Sequence, residues 1–364
     1  MKFMKEKRIN NYTILINRKE HKVKNKKYLV FVLIILGTLI LSCGSKGEKA
    51  KQGTETKTEK KDKTKYSFEL SDEDLATAHS KFQTEIVDNS FQGDGKPMTP
   101  PKNKFLLVNY EAKDGKMDAF LTPDPKDGKK HPAVIWLIGG YGGIGNDDYF
   151  WADQPAENDQ TGRAFRDAGI VMMVPSFRGE NANPGIYDMF YGEIEDLESA
   201  REYLSKISYV DPERIYVVGH STGGTRALLG NEYSRGFRAA FSLGGIPDLE
   251  LRLKGSMRVA IPFNTKNPEE LKVRSPRTYM KSLQSPTFYF EGEEDYWFEF
   301  DEMKKIAKEN NIPLYIYDIK GGDHFNIITP VTKIIAEKIL NDTGEKANIT
   351  FTKEDIAKIE NSLK

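Results

Sequence analysis

The chain has 364 residues, 54 basic and 54 acidic, one cysteine, and the apolar content of an ordinary globular protein. The zero net charge averages unlike parts: residues 1–42 hold ten basic side chains against two acidic, residues 43–65 eight against four, and residues 66–364 36 against 48. An acidic body argues against a nucleic-acid partner, which needs clustered Lys and Arg, and a lone cysteine excludes an intramolecular disulfide and a cysteine-based metal site.

The basic N-terminus leads into the apolar run Tyr28–Leu41, YLVFVLIILGTLIL. Fourteen residues fall short of the roughly 20 that span a bilayer, but they suit the apolar core of a signal peptide. The run ends in Ile40-Leu41-Ser42-Cys43-Gly44, which resembles a bacterial lipobox. That resemblance implies a diacylglyceryl thioether on Cys43, cleavage after Ser42, and a protein anchored by lipid to the extracytoplasmic side of a bacterial membrane. An uncleaved signal anchor is the alternative, since Leu41 is a less usual residue at its position. Residues 44–65 carry almost no apolar side chain and read as a disordered tether, with a mean reach on the order of 25 Å.

In the body, Ser71-Asp72-Glu73-Asp74 offers an N-cap with an acid three residues on, which predicts a helix to about Val87 within an N-terminal extension, 66–102. Residues 88–102 are a Gly- and Pro-rich loop. Phe105–Ala112 and Met117–Thr122 predict strands separated by a turn at Lys113–Lys116. Ala133–Ile138 is an unbroken apolar run, as expected of a strand buried on both faces. Helix and strand then alternate: helix 162–168, strand 170–174, helix 191–206, strand 214–218, helix 223–231, strand 238–243, strand 287–291, helix 301–310, strand 313–319 and helix 330–340. This order predicts an α/β protein with a mostly parallel central sheet and helices on both faces. Residues 245–285 interrupt the cycle and are a candidate lid. The tail 341–364 holds one more helix, capped by Thr352 with Asp355 three residues on.

Gly219-His220-Ser221-Thr222-Gly223 is G-x-S-x-G between a predicted strand and a predicted helix. Such a sharp turn lifts a serine hydroxyl above the sheet of an α/β-hydrolase fold and leaves room only for glycine at both ends. Ser221 is therefore the expected nucleophile, and the N–H of Thr222, at the helix start, an expected oxyanion donor.

The base follows by elimination among five histidines. His21 lies in the signal, His79 precedes the sheet, and His131 opens a strand at the wrong end. His220 adjoins the nucleophile and points elsewhere. His324 follows the last strand, at the edge where ligands bind in such sheets. The chain order Ser…Asp…His places the third member after the penultimate strand, in Gly292-Glu293-Glu294-Asp295. Asp295 is the choice; Glu293, Glu294 and Asp323 are its rivals.

From about Pro101 to Leu340 the chain resembles the catalytic domain of prolyl-oligopeptidase-like serine hydrolases. The resemblance rests on SFRGENANPG with FYGEIEDL, on VDPERIYVVGHSTGG, and on RSPRTYMKSLQSPTFYFEGEED. It implies, at Ile138-Gly139-Gly140-Tyr141-Gly142-Gly143, that the Tyr141 hydroxyl helps hold the oxyanion, with its backbone N–H as the alternative donor and a packing tyrosine as the plainer reading. The β-propeller of full-length oligopeptidases has no counterpart between tether and first strand, so the resemblance supports the chemistry better than it supports peptide as the substrate.

Phe150, Trp151, Trp297 and Phe325 flank the expected site, lining a pocket or packing at its rim. Arg178, with Glu193 or Asp196, is expected to fasten a strand loop to its helix. No phosphate loop, dinucleotide fingerprint or metal-ligand cluster is evident, so no cofactor and no metal is expected. The expected activity is cleavage of an ester or amide through an acyl-enzyme, carboxylesterase-like. The alternatives are a peptidase of short peptides and a non-catalytic binding lipoprotein.

Overall fold

A computed structural model describes residues 68–254, 261–296 and 298–363, all within one unit, Lys63–Lys364. The expected signal peptide, Cys43, the expected tether and Trp297 lie outside the described residues.

Eight strands form one sheet: β1 (Leu106–Ala112), β2 (Gly115–Leu121), β3 (His131–Leu137), β4 (Val171–Pro175), β5 (Val210–His220), β6 (Ala240–Leu243), β7 (Thr287–Gly292) and β8 (Leu314–Ile319). Their order is β1-β2-β4-β3-β5-β6-β7-β8. β1 and β2 make an antiparallel hairpin closed at Ala112 and Gly115, and β2 runs antiparallel to β4. From β4 to β8 every pairing is parallel. The helices are α1 (Leu75–Lys81), α2 (Arg163–Asp167), α3 (Gly192–Ser205), α4 (Thr222–Tyr233), α5 (Leu249–Lys254), α6 (Pro268–Lys272), α7 (Phe298–Glu309), α8 (Ile328–Asn341) and α9 (Lys353–Asn361).

The unbroken apolar run of β3 serves two cores because strand side chains alternate between faces. Val134 and Trp136 join Val218, Phe241 and Phe288 under Phe165 of α2, Ile335 of α8 and Ile359 of α9. Ala133, Ile135 and Leu137 join Val217 and Ala240 under Leu197 and Leu204 of α3 and Ala227 of α4. Truncating a ring such as Phe241 to Ala would cost about 3–5 kcal/mol. The Thr352–Asp355 capping box forms as the sequence predicts, and Asp355 also pairs with Lys338 of α8 at 2.7 Å.

The N-terminal helix is shorter than expected. It is capped by Asp74, which accepts from the Thr77 N–H at 2.8 Å, while Ser71 spends its hydroxyl on the backbone of Glu73. It stops at Lys81 because the next residues pair elsewhere. Thr84 and the Glu85 N–H donate to the Glu270 carboxylate at 2.8 and 2.6 Å, and Ile86 bridges to Phe263. β5 begins four residues before the expected Arg214, with a register shift opposite β3 between His131 and Ala133.

The described parts of 245–285 hold α5, α6 and a 3-10 stretch, Pro276–Ser282. They are fastened by Arg274, which is fully buried. Its guanidinium donates to the Met189 carbonyl at 2.7 Å and the Glu270 carboxylate at 2.5 Å, and stacks 4.0 Å over the Phe263 ring.

Candidate active site

Ser221 sits between β5 and α4 with φ +55° and ψ −121°, a conformation that costs a non-glycine residue strain of order 1–3 kcal/mol. The surroundings impose it. The Ser221 N–H donates to the Leu243 carbonyl at 2.8 Å. A Cβ on Gly219 would come 2.1 Å from the Gly223 carbonyl oxygen, and one on Gly223 would come 2.0 Å from that of Leu137. Both glycines of the motif are therefore steric requirements of the turn.

The helix behind the serine is locked by charge. Arg226, one turn into α4, donates to Glu193 and to Glu180, each at 2.6 Å, with all three side chains buried. Removing one member of such a set costs about 3–5 kcal/mol, because the remainder is left charged and unpaired. Arg178 takes Asp196 in a two-bond clamp of 2.9 and 2.6 Å, leaving Glu193 to Arg226.

The loop after β3 crosses in front of the serine. A Cβ on Gly139 would lie 3.0 Å from the Ser221 Cβ. The Thr222 hydroxyl donates to the Gly140 carbonyl at 2.7 Å. Thr222 is the first residue of α4, so its N–H has no acceptor within the helix. Tyr141 is half-buried and packs edge-on to Tyr187, with ring centroids 5.8 Å apart. Burial pushes its phenol well above the usual range, so it keeps its proton at neutral pH.

His324 lies on the loop after β8, and that loop touches the end of β7 where Gly322 meets Gly292. Burial lowers the His324 pKa, while Asp295 pulls it up and Arg252 pushes it further down. One ligating atom each of Glu291, Asp295 and His324 lie within 4.8 Å of one another. The rival acids have other surroundings. The Asp323 Oδ1 accepts from the N–H groups of Phe325 and Asn326 at 2.7 and 2.8 Å, Glu293 accepts from the Gly321 N–H at 3.1 Å, and Glu294 is exposed. Asp295 ends the 3-10 turn Glu293–Asp295 and is half-buried.

Two residues at the site escape the sequence reading. His220 is buried beneath the imidazole of His324, 4.8 Å away between centroids, and its Nε2–H donates to the His324 carbonyl at 2.8 Å. Glu291, the next-to-last residue of β7, is 4% exposed. Among the pocket candidates, the Phe325 ring stands edge-on to His324 at 5.0 Å. Trp151 instead packs edge-on to Phe120 at 5.4 Å, beside a buried Phe150.

A mostly parallel eight-stranded sheet with a strained serine at the end of β5 is the arrangement of an α/β-hydrolase. Residues 159–329 match the prolyl oligopeptidase family. Over 183 residues the chain is 28% identical to the uncharacterized peptidase YtmA of Bacillus subtilis, covering 48% of this chain and 67% of that one. It is 25% identical over 193 residues to dipeptidyl-peptidase 5 of Porphyromonas gingivalis, covering 48% of this chain and 27% of that one. Among solved structures, the acylaminoacyl peptidase of Pyrococcus horikoshii superposes with a TM-score of 0.53 at 19% identity, over 70% of this chain and 44% of that one. The 2,6-dihydroxy-pseudo-oxynicotine hydrolase superposes with a TM-score of 0.52 at 17% identity, over 66% and 68%. The superpositions show an α/β-hydrolase fold, and within it residues 159–329 are similar to the prolyl oligopeptidase family.

Proposed function

We propose that the body hydrolyses small esters, or amides, through a serine acyl-enzyme. Ser221 attacks the carbonyl, His324 takes the proton and returns it to the leaving group, and Asp295 orients the imidazole. The Thr222 N–H and Tyr141 stabilise the tetrahedral oxyanion. The observation that carries this reading is Ser221 at φ +55° between two glycines that tolerate no Cβ. Burial supports His324 as base, because it lowers the pKa and leaves the imidazole neutral near pH 7. Phe325, beside the imidazole, is the candidate wall of an acyl pocket.

A peptidase of short peptides is the second reading, favoured by the two curated relatives, both named as peptidases. The chain spans about a quarter of the second of these, so the whole-protein activity of that relative is not carried over. Lipid attachment through Cys43 would place the catalysis at an extracytoplasmic membrane surface. The test is fluorophosphonate labelling of the purified body, followed by matched panels of aryl esters and short peptide amides. Labelling that persists in Ser221→Ala would overturn the mechanism. Turnover of peptides but not esters would replace the first reading with the second.

A further inference from the structure

Glu291 presents a bonding pattern that an ionised carboxylate does not satisfy. Its Oε2 lies 2.7 Å from the Tyr289 hydroxyl, and the same hydroxyl lies 2.5 Å from the Gly245 carbonyl oxygen. A phenol carries one hydrogen, and a backbone carbonyl can only accept. Each of the two contacts needs a hydrogen, and only Glu291 can bring the second, so the phenol hydrogen is assigned to the shorter contact, with Gly245. The contact with Glu291 is then attractive only if Oε2 carries a hydrogen and donates it to the phenol oxygen. The other oxygen, Oε1, is buried and has no hydrogen-bond partner within the protein. A carboxylate oxygen of Glu291 lies within 4.8 Å of a ring nitrogen of His324, and a Cβ built on Gly244 would meet both residues, 2.7 Å from Cε1 and Nδ1 of His324 and 3.5 Å from Oε1 of Glu291.

We propose that Glu291 is a positioning residue for His324, held as the neutral acid so that Oε1 serves as an uncharged acceptor beside Asp295 for the Nδ1–H. This rests on reading His324 as the base. With Nδ1 protonated and held from two sides, Nε2 is left free to take the Ser221 proton. Glu291 itself gains and loses no proton in the cycle. Its neutrality matters because a second carboxylate would compete with Asp295 for the one Nδ1–H and turn the ring away from Ser221.

The groups around Glu291 favour the acid form. Tyr289 stands beside it on β7, Asp295 follows on the next turn, His324 faces it from the loop after β8, and Arg252 acts on it from α5. Glu299 of α7 faces Tyr289 and is itself pushed up to about 7 by burial. Burial raises the Glu291 pKa most and the Asp295 charge adds to it, while the Tyr289 hydroxyl, Arg252 and the Gly292 N–H oppose them, and the balance is a pKa of about 8. The same hydrogen count makes this trio a poor cation site, because a metal would have to displace the proton that Tyr289 requires.

The experiment compares wild type, Glu291→Gln and Glu291→Ala. It measures p-nitrophenyl butyrate hydrolysis and the rate of fluorophosphonate labelling at Ser221, each against pH. Gln keeps an uncharged Oε1 and can donate to Tyr289, so it should restore most of what Ala loses. Ala should lower kcat and the labelling rate by about 10-fold or more, with KM nearly unchanged. The wild-type rate should fall above pH 8 or so, while that of Gln holds to about pH 9.5. A third readout is independent of activity. A carboxyl whose folded pKa is raised costs the fold stability as pH climbs from the unfolded value toward the folded one. The wild-type thermal midpoint should therefore drop relative to that of Gln between pH 5 and 8, and this decides the matter if Ala does not fold. Gln as slow as Ala, an alkaline limb unchanged in Gln, or parallel thermal midpoints would each overturn the proposal. Absence of wild-type labelling at Ser221 would instead sink the hydrolase reading on which it rests.

Discussion

The hydroxyl of Thr222 donates to the carbonyl of Gly140 at 2.7 Å, tying the loop after β3 to the first residue of α4. Through that bond the residue following Ser221 fixes the backbone that leads to Tyr141. Thr222→Val keeps the shape and removes the donor. It should lower kcat by about 10-fold, and Thr222→Ser should recover most of the loss. Tyr141→Phe should lower kcat by about 10²-fold or more if the phenol holds the oxyanion. A change confined to KM would place Tyr141 in substrate binding.

Gly244 is a direct probe of the imidazole. Its φ is +64°, and a Cβ there would press on the His324 ring at 2.7 Å. Gly244→Ala should displace the ring and lower kcat by about 10²-fold, since a shift near 1 Å can cost that much. Gly169 makes the control, with φ +75° and nothing within 4 Å of its Cβ. Gly169→Ala meets the same backbone strain, of roughly 1 kcal/mol, without touching the site. Equal kinetics for the two variants, with circular dichroism unchanged, would mean that His324 does not act from where it lies.

The acid limb of the pH profile has a definite sign. The base must be neutral to act, and burial holds the His324 pKa below its ordinary 6.5. kcat/KM should therefore rise with pH and reach half its plateau below pH 6.5. Asp295 is the largest influence raising that pKa, so Asp295→Asn should move the limb to still lower pH in whatever activity remains. A limb that stays in place would remove Asp295 from contact with the base.

The membrane expectation rests on the only cysteine in the chain standing at the end of the apolar run. Cys43→Ser should release the protein from membranes or block its maturation, read by fractionation and by loss of lipid labelling. Unchanged attachment would favour an uncleaved anchor.

What the sequence discloses is local. The apolar run of β3, the strand–Ser221–helix junction and the Thr352–Asp355 box each follow from a few neighbouring residues, and each appears where expected. What it conceals is set by distant partners. The end of α1 at Lys81 is decided by Glu270, 185 residues beyond Glu85 in the chain. Glu291 hides within the buried strand TFYFEG, where periodicity reports burial but not that Tyr289 and Gly245 leave a proton on it. The sequence places the His220 side chain elsewhere on the turn, yet it reaches the carbonyl of His324, 104 residues away, and packs against that ring. Chain order narrows the third acid to one loop. The turn geometry then leaves Glu293 on Gly321 and Glu294 in solvent.

The proposed triad makes one last demand, that its members fail as a unit. Ser221→Ala and His324→Ala should each collapse turnover while the body stays folded, because nucleophile and base take part in one proton transfer. Removing both should cost little more than removing either. Asp295→Asn should cost less, since the amide still holds the ring, although in the wrong tautomer. Glu291 adds a condition of its own. If its Oε1 shares the Nδ1–H, Asp295→Asn should retain more activity in wild type than in a Glu291→Ala background. The measurement is kcat/KM on an aryl ester for the single and double variants, with circular dichroism as the folding check. A Ser221→Ala/His324→Ala variant that loses the product of the two single losses would show independent action and dissolve the triad. A harmless Asp295→Asn beside a crippling change at Glu293, Glu294 or Asp323 would keep the fold and replace the third member.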